Sequence, residues 1–78
     1  MLDVIQSNPN ILGGTPVFTG TRVPLEAFFD HLESGVTIED FILDFPSVTK
    51  EQCVWVLEIA EHLLTSPKLY QFYESLDR

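Results

Sequence analysis

The spacing of apolar residues changes near residue 24 of this 78-residue chain. Up to Val23 they come in pairs or singly: Ile11-Leu12, Val17-Phe18 and Val23 sit between glycines and prolines. Beyond Pro24 they recur every three or four residues, which is the period of one helix face. The first part therefore predicts extended, turning backbone and the rest predicts helices. Three of the four glycines and three of the five prolines fall in residues 1–24. Glycine opens backbone angles closed to other residues, and proline fixes φ and removes a donor. Short strands are expected near Val4-Gln6 and on both sides of Gly20, where Val17-Phe18 and Thr21-Arg22-Val23 flank Thr19-Gly20 as in a small hairpin.

Helix one is expected from Pro24, a favourable first-turn residue, with Leu25, Phe28, Phe29 and Leu32 as its buried stripe. Gly35 fits its left-handed cap. Helix two begins at Thr37, buries Ile38, Phe41, Ile42 and Phe45, and stops at Pro46. Helix three opens on Thr49-Lys50-Glu51-Gln52, a capping-box pattern, and runs to about Thr65. Cys53, Val56, Leu57, Ala60, Leu63 and Leu64 share one face of it, and Trp55 and Ile59 widen that face. A usual amphipathic stripe is about 100° wide, and this one is nearly twice that. The surplus has two readings: the N-terminal hairpin packs on it, or it meets another protein. Ser66-Pro67 breaks the chain. A fourth helix from Lys68 to about Leu76 carries apolar residues at 69, 72, 73 and 76, including Phe72 and Tyr73 beside Tyr70. It either folds back on the core or docks on a partner as a helix in a groove.

These elements make one mainly α domain: a β-hairpin or arm over 1–23, a three-helix core over 24–65 and a C-terminal aromatic helix over 66–78. Helices two and three, joined by Pro46-Ser47-Val48-Thr49, have the spacing of a helix-turn-helix unit. The alternative is a plain bundle that reads no DNA.

Charge decides how far the DNA reading goes. The formal net charge is −8. Residues 1–24 and 62–78 each sum to zero, so all of it lies in residues 25–61, with nine carboxylates and one lysine. Affinity for a phosphate backbone comes mostly from Lys and Arg. Such a core repels DNA; its acidity serves solubility or complements a basic partner. Arg22 is the one cationic side chain in the first 49 residues. At a turn in an acidic protein, it is the first residue to consider for recognition, and it has two readings: it pairs with an acidic side chain of helix one or two and holds the arm against the core, or it stays free to meet a partner's carboxylates.

Little in the chain points to catalysis. His31 and His62 are single, without a nucleophile or metal partner in sequence, and suit surface or capping roles. Cys53 lies on the core face as a small hydrophobe, and as the single cysteine it excludes an intrachain disulfide. Glu39, Asp40 and Asp44 line one side of helix two, but hard cations need further oxygen ligands from a shaped loop. Gly13-Gly14 lacks the spacing and lysine of a phosphate loop. No cofactor, metal site or enzyme is expected. No apolar run reaches the length of a membrane span and Asp3 interrupts the start, so a cytoplasmic protein is expected. A chain this short buries about 60–65% of its unfolded surface, which with the wide apolar arc favours self-association as a dimer.

One ordered series of motifs adds a resemblance. Asn8-Pro9, Ile11-Leu12-Gly13-Gly14, Pro16-Val17, Gly20-Thr21-Arg22-Val23, Gly35-Val36-Thr37 and Phe45-Pro46-Ser47-Val48-Thr49 are similar to the domain-of-unknown-function family 433. The likeness covers roughly residues 7 to 64 and leaves the tail from Leu69 unmatched. It implies a homeodomain-like three-helix core and, as for many members of that family, an antitoxin that binds and neutralises a PIN-like nuclease. Such nucleases use acidic residues and a metal within a basic surround for RNA. The acidic helical face would cover that surround, and Arg22 would engage the carboxylates. Partner contacts are expected from Arg22, Trp55, Ile59, Tyr70, Phe72 and Tyr73. The alternatives are a DNA-binding autoregulator, touching DNA through Lys50 and Gln52, and a dimeric structural module. Binding of nucleic acid by the chain alone is expected to be weak.

Overall fold

The structure is a computed structural model that describes residues 3–76. The first and last two residues of the expected arm and tail lie outside the described residues. The chain runs through strand β1 (Ile5–Gln6), a short turn of 3-10 helix (Leu12–Gly14), strand β2 (Val17–Phe18) and four helices: α1 (Leu25–Glu33), α2 (Ile38–Asp44), α3 (Lys50–Leu64) and α4 (Pro67–Leu76). It is mainly helical with an N-terminal two-stranded antiparallel sheet.

Each helix end has a local cause. Pro24 caps α1 one residue earlier than helical geometry begins, with its carbonyl accepting from the Ala27 N–H. Gly35, at φ +87°, ends α1. The Gly35 N–H donates to the Leu32 carbonyl and the Val36 N–H to that of His31, which is the Schellman arrangement. The Thr37 hydroxyl accepts from the Asp40 N–H and starts α2. Thr49 and Gln52 form the reciprocal capping box expected of α3.

The strand pairing differs from the expected hairpin. The ladder partner of β2 is β1, in antiparallel register Ile5↔Phe18 and Gln6↔Val17. The segment after Gly20 forms no second strand and meets β2 through the bridge Val17↔Pro24, the bond from the Phe18 N–H to the Val23 carbonyl and the bonds from Thr21 to the Phe18 carbonyl. A two-residue strand has two hydrogen-bonding edges, and both are filled. Gly20 keeps its expected place in the turn: the Thr21 N–H closes on the Phe18 carbonyl, and Gly20 has φ +80° at the turn's third position.

The N-terminal segment is part of the core. Val17 and Phe18 are fully buried, together with Phe28 of α1 and Phe41 of α2. The rings of Phe18 and Phe28 meet edge to face at 5.7 Å, and those of Phe28 and Phe41 lie 5.1 Å apart. Val4, Val48, Cys53 and Val56 close this cluster. Truncating a fully buried Phe to Ala costs about 3–5 kcal/mol, so β2 is as much a core element as any helix.

The apolar face expected along α3 is buried only in its first half. Cys53 and Val56 are buried, but Leu63 is 57% and Leu64 72% exposed. The cause is length. A 15-residue helix is about 22 Å long and a 7-residue helix about 10 Å. The end of α3 therefore runs past α2 and the arm that cover its beginning. In α4 every residue but the half-buried Leu69 is exposed, so the fold-back expected as one option does not occur. The Cα radius of gyration is 14.1 Å, against about 11 Å for a compact domain of this length.

Candidate functional site

Two surfaces stand out, one polar and one apolar. The polar one begins at the Gly20 turn. Thr21 is the buried polar residue of the region. Its hydroxyl donates to the Phe18 carbonyl at 2.8 Å and accepts from the Val23 N–H at 3.0 Å. The Gly20 N–H donates to Gln6 Oε1 at 2.7 Å. These bonds fix the backbone on both sides of Arg22, whose side chain is exposed and makes no ion pair or hydrogen bond among the described residues. An arginine with a fixed root and free head is preorganised to meet a carboxylate.

The helical core beyond it carries the acidic shell. All nine carboxylates of residues 25–61 are on exposed residues. Among the described residues the one ion pair is Lys50 with Glu39 at 2.9 Å, itself well exposed. The hydrogen bond from Lys50, with its charge, holds the Glu39 carboxyl below the ordinary carboxylate range. The shell thus keeps almost all of its negative charge available. No group of acidic, histidine or cysteine residues that could hold a metal ion occurs among the described residues.

The two residues expected to touch DNA in the alternative reading are already engaged. Lys50 is held by Glu39. Gln52 accepts from the Thr49 N–H at 3.0 Å through Oε1 and donates to the Thr19 carbonyl at 3.0 Å through Nε2. Gln52 thereby ties the start of α3 to the Gly20 turn. The capping box was legible in the sequence; its second use, across 33 residues, had no local signal.

The apolar surface follows α3 and α4. Trp55 is 44% exposed, while Ile59 is half-buried at the edge of the core. With Glu58, His62 and Leu63 they line a shallow groove of about 310 Å³. The arm, expected as one cover for this strip, docks at Gln52 and leaves Trp55 open. Tyr70, Phe72 and Tyr73 are each more than half exposed, and Tyr70 and Tyr73 stack at 6.4 Å. Val54, Leu63, Leu64 and Leu76 extend the surface beyond the residues expected from sequence. Exposed apolar area of this extent is uncommon on monomeric proteins.

The remaining candidates are structural. His31 Nδ1 donates to the Ala27 carbonyl at 2.6 Å, and its ring meets Phe41 and Phe45 edge-on. His62 is exposed. Cys53 is buried, and burial pushes its thiol pKa up, so it stays protonated and unreactive at neutral pH. Leu12, with φ +51°, begins a left-handed turn continued by Gly13 and Gly14. A leucine gives no sequence signal for that conformation.

Comparison with known proteins places this chain in a family. The uncharacterized protein y4eO of Sinorhizobium fredii (strain NBRC 101917 / NGR234) is 38% identical over 50 residues, which is 64% of this chain and 23% of that protein. The chain therefore spans less than a quarter of the length of this curated relative. No solved structure matches. Residues 5–63, from β1 through nearly all of α3, match the family described as "Protein of unknown function (DUF433)". The chain belongs to the DUF433 family, and α4 lies beyond the matched residues.

Proposed function

We propose that this protein is an antitoxin-like binding protein whose acidic helical shell and Arg22 engage and neutralise a PIN-like nuclease. The observation that carries the reading is the shell: nine exposed carboxylates over residues 25–61, with a single ion pair among the described residues. A surface of this sign is complementary to the basic surround with which a nuclease holds RNA, and it competes with RNA for that surround. Arg22 supplies the opposite charge at one fixed point and suits the carboxylates of a metal-dependent active site. The DNA-binding alternative draws less support, since Lys50 and Gln52 are engaged within the fold. The test is an RNA-cleavage assay of a PIN-like nuclease encoded beside this chain. Equimolar chain abolishes cleavage, and Arg22→Ala weakens the inhibition. Cleavage unchanged by an excess of chain refutes the reading.

A further inference from the structure

The polar shell leaves the apolar surface of α3 and α4 without an occupant. We propose that it is filled by a second copy of this chain, with α4 of each copy lying along the Trp55–Ile59–Leu63 seam of the other.

Four observations select this occupant. The first is that α4 cannot account for itself. It has ten residues, whereas isolated helices shorter than about 12–15 residues are marginal in water. Its apolar residues, Leu69, Tyr70, Phe72, Tyr73 and Leu76, occupy one arc, and only Leu69 is even half-buried. The helix needs a surface that its own chain does not place beneath it.

The second is fit. At 1.5 Å per residue, the stripe from Leu69 to Leu76 is about 10 Å long and the seam from Trp55 to Leu63 about 12 Å. The groove along that seam is shallow and open to solvent.

The third is charge. Glu51 and Glu58 border the seam, and Lys50 beside Glu51 is paired with Glu39. Two α3 helices placed face to face would set these carboxylates against their equivalents. By contrast α4 carries one lysine and one glutamate, Lys68 and Glu74, which cancel. A neutral helix lies on an acid-bordered seam without that repulsion, and Lys68 is attracted to it.

The fourth is area. At roughly 200 Å² per aromatic side chain, the exposed parts of Trp55, Tyr70, Phe72 and Tyr73 amount to about 450 Å². Val54, Leu63, Leu64 and Leu76 raise the total to on the order of 800 Å², the contribution of each partner to a stable interface. The exchange is reciprocal, so one two-fold axis closes it and leaves no free apolar end.

Sedimentation equilibrium of the full chain tests the proposal. A dimer is expected at micromolar concentration, and it tightens with added salt because two acidic chains repel each other. The double variant Phe72→Glu, Tyr73→Glu and the single variant Trp55→Glu each weaken it by at least about 30-fold. None of the three residues is buried, so the core helices of the variants keep their circular dichroism, and any loss of helical signal is confined to the ten residues of α4. Mixing copies carrying Leu63→Cys with copies carrying Tyr73→Cys gives a cross-linked pair on mild oxidation. A monomer throughout the concentration range overturns the proposal. So does a dimer that survives the α4 substitutions, which would mean that the copies meet elsewhere.

Discussion

The buried hydroxyl of Thr21 and the free guanidinium of Arg22 divide the work of one turn. Thr21 bonds two backbone groups, so Thr21→Val leaves the Val23 N–H without this partner, while the Phe18 carbonyl keeps only its bond from the Thr21 N–H. A loss of about 1–3 kcal/mol in chemical denaturation is expected. Arg22→Ala removes no ion pair or side-chain hydrogen bond among the described residues, so stability changes by no more than about 0.5 kcal/mol while partner affinity falls. A large stability loss in that variant would show that the arginine holds the arm to the core. Gln52→Ala removes both half of the capping box and the bond to Thr19, and about 1–2 kcal/mol is expected to go with them. Cys53 is buried with its thiol held protonated. Its alkylation near pH 8 should therefore be slow in the native protein and fast in denaturant. Fast native labelling would place the thiol at the surface.

At the scale of elements, the caps were the most legible features. Thr37, Thr49 with Gln52, and Gly35 each act within four residues of sequence, and each was found where the pattern put it. Gly35→Ala forces a Cβ into φ +87° and should cost about 1–2 kcal/mol; thermal denaturation measures it, and an unshifted midpoint would contradict the Schellman role. The apolar stripes of α1 and α2 were legible for the same local reason. What depends on distant chain was not. Residues near Gly20 pattern as a hairpin on their own, but β1 arrives from 11 residues before β2 and takes the free edge. Periodicity marks the apolar face of α3 without saying how much of it the neighbours are long enough to cover. Leu63 and Leu64 therefore pattern as core and stand exposed. Of the candidate site, Arg22, Trp55 and the α4 aromatics were visible in sequence as surplus: charge without a local partner and apolar surface without a core.

For the whole molecule, opposite surface characters give opposite salt dependences. Negative charge over residues 25–61 opposes the compact state, so the thermal midpoint of the chain alone should rise between about 10 mM and 300 mM salt. A midpoint that falls would mean that ion pairs stabilise the fold, and only Lys50–Glu39 occurs among the described residues. Generic duplex DNA should bind weakly or not at all at moderate salt, as an anisotropy titration would show. The central claim is that a negative surface recognises a basic nuclease. Its most direct test is calorimetric titration of this chain into the PIN-like nuclease at low and at high salt. The account predicts saturable binding that weakens steeply as salt rises, and weakens further with Arg22→Ala. Absence of binding, or an affinity that salt leaves unchanged, would contradict it.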